Sequence, residues 1–174
     1  MPRNLSNPLT KPSKKVPPAV IGWREWVALP DFGVKSIKAK VDTGARTSSL
    51  HAFDVQEFRR AGEDMVRFAI HPEQDKSKPE VQVEAPLIER RKVTPSSGHS
   101  ELRPVVLTTV ELLGRCFEVE LTLTRRDAMG FRMLLGRQAL RGRFLVDTGR
   151  SFLNGRRVKG TKRIKRKKAG RSKA

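Results

Sequence analysis

Short segments in which apolar and polar residues alternate fill the middle of this sequence, and they constrain its fold most. Glycine and proline interrupt these segments at intervals of about ten residues, which is typical of an all-β barrel or sandwich. Two stretches, 54–60 and 137–140, are instead predicted to be helical. The predicted strands are 23–29, 34–41, 48–52, 65–71, 81–85, 105–112, 117–123, 132–135 and 144–146.

The strand predicted at 34–41 ends in the sequence Asp42-Thr43-Gly44, followed by Ala45. This is the local arrangement that an aspartic peptidase needs. The strand fixes the carboxylate, the hydroxyl can reach a partner loop, and the small residues let a substrate approach the backbone closely. A three-residue motif also occurs by chance, so its interpretation depends on the rest of the chain. We predict Asp42, Thr43 and Gly44 as the catalytic loop and Ala45 as a substrate-binding residue.

A second motif, Leu134-Leu135-Gly136, lies downstream and precedes the helix-compatible stretch 137–140. It resembles the second half of the retropepsin signature, in which an apolar-apolar-glycine strand passes beneath the Asp-Thr-Gly loop and supports it. The alternative is an ordinary core strand that ends in a turn. The two motifs together are more specific than either one.

The charge of the chain is strongly basic and uneven. The sequence has 37 Lys and Arg residues against 18 Asp and Glu residues, a net charge of +19, and eleven of the basic residues lie in 156–174 without any acidic residue. A segment with so few apolar residues cannot bury enough surface to fold. We therefore predict a disordered basic tail at 155–174, a disordered Pro/Lys-rich leader at 1–20 and one folded domain at 21–154. The tail is either a solubility extension or an arm that binds a polyanion such as ribosomal RNA.

The single cysteine, Cys116, excludes an internal disulfide and is predicted to be a buried thiol. The first twenty residues lack the continuous apolar stretch of a signal peptide, and no apolar run in the sequence is long enough to span a membrane. We expect a soluble, cytoplasmic protein without a membrane partner.

Several longer motifs, in order, resemble the RimB-type retropepsin-like proteins, which are often labelled ATP-dependent zinc proteases. The similarity implies a closed six-stranded barrel. It also implies a function opposite the ligase RimK, which adds glutamates to the C-terminus of a small-subunit ribosomal protein, so the implied substrate is that polyglutamylated protein. The matching segments are 22–30, 38–48, 96–99, 101–105, 131–137 and 143–147.

The zinc and ATP labels find no support in the residues. The three histidines are His51, His71 and His99, and the sequence has no His-Glu-x-x-His motif, no paired cysteines and no Gly-x-x-x-x-Gly-Lys loop. We predict no metal ion and no cofactor.

The expected mechanism requires two carboxylates that share a proton. Because the chain has one well-placed acid, we expect a homodimer in which each subunit contributes Asp42. A second Asp-Thr-Gly begins at Asp147, where the family usually has Asp-Pro. No further lobe follows it, so we predict a turn or capping role for Asp147. A single-acid site that uses Glu101 or His99 is the alternative to the homodimer.

A polyglutamate substrate calls for arginines, whose forked donors match carboxylates. Arg46 follows the catalytic loop directly, and the turn-rich segment 94–99 lies where retropepsins carry a flap. Surface salt bridges or a solvated loop are the alternative roles for these basic residues, and Arg137 is predicted to anchor structure near the dimer interface. A ribosome- or RNA-associated basic protein with an inactive barrel is the competing function, and general proteolysis is a third. The remaining predicted substrate-binding residues are Arg90, Arg91, Ser97, His99, Glu101 and Arg103.

Overall fold

The computed structural model describes residues 16–73, 79–94, 98–125 and 130–155. Most of the predicted leader, the predicted tail from residue 156 onward and Ser97 lie outside these ranges. Within them the chain forms one α-helix, α1 (Arg137–Leu140), and a 3-10 turn at Pro30–Phe32. The strands of the described ranges are β1 (Ala19–Gly22), β2 (Arg24–Leu29), β3 (Val34–Asp42), β4 (Ser48–His51), β5 (Phe53–Arg60), β6 (Glu63–Ile70), β7 (Val81–Pro86), β8 (Glu89–Val93), β9 (Glu101–Leu112), β10 (Arg115–Thr124), β11 (Met133–Gly136) and β12 (Phe144–Asp147).

Six of these strands close into a barrel. The order around it is β10, β4, β11, β3, β2 and β9, and β9 pairs back onto β10. This confirms the predicted all-β fold with a closed six-stranded barrel. Strand β8 extends the sheet beyond β9, strands β5 to β7 form a separate antiparallel sheet, and β1 pairs with β12 in parallel.

The barrel core follows from the alternation along its strands. In β3, the side chains of Ile37, Ala39 and Val41 are buried, whereas Lys40 between them is exposed. Burying each large aliphatic side chain stabilises the fold by roughly 1.5–3 kcal/mol. Because the alternation ends at Val41, the next residue, Asp42, lies at the rim of the barrel. Other strands complete the core with Leu50, Val106, Val110, Leu121, Met133 and Leu135.

A buried carboxylate attaches the C-terminal part of the described chain to the barrel. Glu25 of β2 is fully buried, and its Oε1 accepts hydrogen bonds from the backbone N–H groups of Gly22 (2.7 Å) and Leu153 (2.9 Å). Its Oε2 accepts one from the N–H of Asn154 (3.1 Å). The Trp26 ring stacks on Phe152, with ring centroids 5.7 Å apart. These contacts hold residues 152–154 against β2.

The predicted helix at 54–60 is wrong, because this segment is part of β5. A tight turn at Ala61 and Gly62, both with positive φ, joins β5 to β6, and Arg60 pairs with Glu63 across the hairpin. The charged side chains of the segment have partners on other strands, as Arg60 does with Glu84 of β7. The helix predicted at 137–140 is confirmed as α1.

Three further features differ from the sequence-based expectations. Strand β1 begins at Ala19, before the predicted start of the domain, and β8 was not predicted as a strand. Cys116 is exposed rather than buried, because β10 directs Phe117 and Val119 inward and therefore turns Cys116 outward. None of the helices in the described part of the chain is long and apolar enough to span a membrane.

Candidate active site

The Asp42 carboxylate is held by the loop that follows it. Its Oδ1 accepts hydrogen bonds from the backbone N–H groups of Gly44 (3.1 Å) and Ala45 (3.0 Å). Among the described residues, none donates to Oδ2 of Asp42 or bonds the exposed hydroxyl of Thr43. One carboxylate oxygen is therefore fixed, and the other is available to water or to a second acid.

The start of α1 holds the other side of this loop. The Nη1 of Arg137 donates to the carbonyl oxygens of Thr43 (3.1 Å) and Gly44 (3.2 Å), and the Arg137 N–H donates to the Ala45 carbonyl (2.8 Å). The N–H of Gln138 donates to the carbonyl of Arg46 (3.1 Å). Four consecutive carbonyls after Asp42 thus have donors from α1, which fixes the loop on a rigid element.

Strand β11 supports the loop as the two sequence motifs predict. It lies between β3, to which it is parallel, and β4, to which it is antiparallel, with Gly136 opposite Asp42. A Cβ at Gly136 would overlap the backbone carbonyl of Thr47, so only glycine fits this close approach. The Gly136 N–H donates to Ser48 Oγ (3.0 Å).

Two of the predicted substrate-binding arginines share a cleft beside the loop. Arg46 is exposed, and it lines a cleft of 340 Å³ together with Arg91 and Thr47. The Arg91 guanidinium, however, already contacts Glu89 and lies 2.8 Å from Glu120. Arg91 therefore borders the site with its charge compensated.

The other predicted residues lie apart from Arg46. Arg90 forms an ion pair with Glu57 of β5, and Arg103 forms one with Glu101. Glu101 and Arg103 line a different cleft of 440 Å³, beside Phe53 and Leu123. His99 is exposed on the connection between β8 and β9, a hairpin that corresponds to the predicted flap segment.

Two of the three histidines, His51 and His71, contact the ring of Phe53. His51 is buried on β4, and His71 lies beside the Phe53 ring with its Nε2 3.4 Å from a Glu80 carboxylate oxygen. Within the described ranges, no group of three or more His, Cys, Asp or Glu side chains is arranged to hold a metal ion.

A larger cleft next to the Asp42 loop was not predicted. It has a volume of 610 Å³ and lies between the loop, α1 and β12. The sequence contained one indication of this cleft. Arg141 follows Arg137 by four residues, and two residues at this spacing lie on the same side of a helical turn. The lining residues are Thr43, Arg46, Arg137, Gln138, Leu140, Arg141, Phe144 and Val146.

The second Asp-Thr-Gly has a supporting strand of its own. Gly22 of β1 lies opposite Asp147, and a Cβ at Gly22 would overlap the carbonyl of Arg150. The Oδ1 of Asp147 accepts a hydrogen bond from the Gly149 N–H (2.9 Å), as Oδ1 of Asp42 does from the Gly44 N–H, and the turn role of Asp147 stays a prediction. This supporting strand was not predicted, because it precedes Asp147 in the sequence, whereas β11 follows Asp42.

Comparisons with known proteins agree with this fold. Two curated relatives, each named "Probable alpha-L-glutamate ligase", are 48% identical over 136 residues (Shewanella pealeana) and 44% identical over 135 residues (Desulfotalea psychrophila). Each match covers 78% of this chain, and the chain spans only 30% and 29% of the length of these relatives. A crystal structure of a Legionella pneumophila protein of unknown function superposes with a TM-score of 0.66 at 28% identity, covering 78% of this chain and 97% of that one.

The family model described as "Retropepsin-like aspartic endopeptidase RimB" matches residues 20–157, which include both strands that flank the Asp42 loop. The chain therefore belongs to the RimB-like family of retropepsin-like aspartic endopeptidases.

Proposed function

We propose that this protein is an aspartic peptidase whose catalytic acid is Asp42. The observation that carries the proposal is the state of its carboxylate. Oδ1 is fixed by two backbone N–H groups, while Oδ2 accepts no hydrogen bond from any residue in the described ranges. Membership of a peptidase family supports the same role.

The chemistry needs a second acid close to the first. Two carboxylates about 3 Å apart cannot both ionise, so they share one proton. The ionised acid takes a proton from water, the oxygen of that water attacks the peptide carbonyl carbon, and the neutral acid protonates the carbonyl oxygen. The resulting tetrahedral intermediate breaks at the C–N bond after a proton reaches the leaving nitrogen. We propose a homodimer with two-fold symmetry that brings two Asp42 side chains together, with the free hydroxyl of Thr43 facing the partner loop.

We further propose that the substrate is the polyglutamate tail of a small-subunit ribosomal protein in the cytoplasm, and that hydrolysis opposes a RimK-type ligase. The curated relatives carry a region similar to this chain within a longer polypeptide named as a glutamate ligase. A hydrolase region beside a ligase would act on the same glutamyl bonds. Arg46, which lies next to the loop and has no ion-pair partner among the described residues, supports an acidic substrate.

The test is release of glutamate from a peptide with a C-terminal oligoglutamate extension, measured by mass spectrometry. Wild-type protein should release glutamate, and Asp42→Asn should not, since an amide cannot take a proton from water. Asp147→Asn is the matched control and should retain turnover. Casein cleavage that exceeds oligoglutamate cleavage would instead indicate general proteolysis.

A second function is favoured by charge alone. With a net charge of +19 and eleven basic residues within 156–174, the chain should attract polyanions. It would then be a ribosome- or RNA-associated protein with an inactive barrel. Tight binding of ribosomal RNA that weakens steeply with salt, together with no glutamate release, would favour this alternative.

A further inference from the structure

The 610 Å³ cleft beside the catalytic loop has an unusual charge balance. Three of the residues that line it, Arg46, Arg137 and Arg141, are arginines, and no Asp or Glu is among its lining residues in the described part of the chain. The Arg137 side chain already donates hydrogen bonds to the loop carbonyls. The question is therefore which acceptors the guanidinium groups of Arg46 and Arg141 have.

The guanidinium groups of Arg46 and Arg141 have no hydrogen bond or ion pair with any residue of the described ranges. This differs from the arginines of the hairpin that contains β8 and β9. Because those arginines are already compensated, they could bind a substrate carboxylate only by giving up an existing partner. Their ion pairs are Arg90 with Glu57, Arg91 with Glu89 and Glu120, and Arg103 with Glu101.

Both free arginines project from backbone that is fixed. The carbonyl of Arg46 accepts a hydrogen bond from the N–H of Gln138 (3.1 Å), and the N–H of Arg141 donates to the carbonyl of Arg137 (3.0 Å). A charged group on a positioned backbone loses less entropy when it binds a ligand than one on a mobile loop.

The floor of the cleft is apolar. Leu140 and Phe144 are buried, and Val146 is partly buried beside them. A glutamyl side chain has two methylene groups and a terminal carboxylate. Its methylenes would cover this floor while its carboxylate reaches the forked donors of the arginines. Because Thr43 is both part of the lining and the neighbour of Asp42, a residue bound here lies close to the bond that is cleaved.

We propose that this cleft is a subsite for an acidic side chain of the substrate, with Arg46 and Arg141 as the carboxylate receptors. This rests on the proposed peptidase function and assigns recognition of the negative charge to Arg141 and Arg46 rather than to Arg90, Arg91 and Arg103. Arg141 is then a specificity-determining residue.

Binding is measured without turnover, by calorimetry on full-length Asp42→Asn protein. The probes are two peptides of equal length that end in oligoglutamate or in oligoglutamine. Adding Arg141→Gln or Arg46→Gln should weaken binding of the glutamate peptide about tenfold, as expected for loss of one charge-assisted hydrogen bond. Binding of the glutamine peptide should stay unchanged. Lys35→Gln is the matched control, because it also removes one unpaired exposed charge from the described chain but lies outside the cleft.

Three outcomes overturn the proposal. The first is unchanged binding of the glutamate peptide, and the second is equal weakening for both peptides. The third is dissociation of a dimer by Arg141→Gln in sedimentation velocity, which would assign the cleft to a carboxylate of a second copy. In otherwise wild-type protein, Arg141→Gln should raise KM for glutamyl substrates and leave kcat in place. If the variants weaken glutamate binding but wild-type protein releases no glutamate, the subsite stands and the peptidase function fails.

Discussion

Replacing Arg137 with methionine should abolish most activity while leaving the protein folded. Methionine replaces the aliphatic stem of arginine but lacks the guanidinium group, so it donates no hydrogen bond and releases the carbonyls of Thr43 and Gly44. In wild-type protein the same Nη1 donates to both, at 3.1 and 3.2 Å, from an exposed side chain. Both hydrogen bonds share one nitrogen, and water competes for it. We therefore expect the two bonds together to contribute about 1–2 kcal/mol to the free energy of unfolding, the low end for charged donors. This corresponds to a decrease in Tm of roughly 3–6 °C.

The effect on turnover should be much larger than the effect on stability. Without the side chain of Arg137, only backbone donors hold the loop, and a displacement of about 1 Å at a reacting group costs about 100-fold in rate. Urea unfolding followed by tryptophan fluorescence would measure stability, and glutamate release at 25 °C would measure kcat. We expect kcat to fall about 100-fold with KM nearly unchanged.

Arg67→Met is the control, because it also removes the guanidinium of an exposed arginine, in this case one that forms an ion pair with Glu84 on β7 (2.7 Å) in the separate sheet. This variant should lower the free energy of unfolding by less than about 1 kcal/mol and leave kcat unchanged. The reasoning is refuted if Arg137→Met keeps activity within about threefold of wild type, well short of the loss that a displaced loop would cause. It is also refuted if its loss of activity only follows the fraction of unfolded protein.

Three further predictions concern the acids of the chain. Asp42→Asn should eliminate glutamate release, and Asp147→Asn should retain it, because only the first loop has the arginine that clamps its carbonyls. Glu25→Gln should lower the free energy of unfolding by roughly 2–3 kcal/mol in urea titrations, because its amide NH₂ would face the donor N–H of Asn154. The Thr109 N–H, 2.6 Å from Asp31 Oδ2, lowers the pKa of Asp31 from 3.8. As the pH falls, the unfolded state therefore binds a proton at Asp31 before the folded state does. The difference in the free energy of unfolding between wild-type protein and Asp31→Asn should be constant above about pH 5 and should shrink as the pH falls below 3.8.

The local pattern predicted most strands because burial repeats with a period of two along them. Strand β3 is an example, since its alternation ends next to Asp42 and so also places the acid at the rim. Strand β8 escaped prediction because its sequence, Glu-Arg-Arg-Lys-Val, is almost entirely charged and is held by pairing with β9. Pairing between distant segments is set by the closed barrel, which no local window contains.

The same limit applies to the site. The sequence placed Asp42, Thr43, Gly44 and Ala45 together because they are consecutive. It could not show which arginines are free, since the partners of Arg90 and Arg91 lie 33 and 29 residues away. Charge compensation is a property of the folded surface.

The two Asp-Thr-Gly loops show what turns a common turn into a candidate catalytic loop. In both loops, a glycine on a parallel strand lies opposite the aspartate. The residue that follows this glycine donates its backbone N–H to the carbonyl of the residue three positions after the aspartate. These donors are Arg137 to Ala45 and Trp23 to Arg150. The loops differ in the side chain that follows the glycine. Trp23 packs on the Phe131 ring, with centroids 6.0 Å apart, whereas the Arg137 guanidinium binds the loop carbonyls.

The backbone scaffold is therefore shared, and the two loops differ in the arginine clamp and in the number of N–H groups that donate to Oδ1 of the aspartate. Replacing Trp23 with arginine should not make Asp147 catalytic, because Gly149 is the one described residue whose N–H donates to Asp147 Oδ1, whereas Asp42 Oδ1 accepts two such hydrogen bonds. In an Asp42→Asn background, Trp23→Arg should therefore release no glutamate in the mass-spectrometric assay. Any glutamate released by this double variant would mean that a clamped Asp-Thr-Gly turn suffices for hydrolysis.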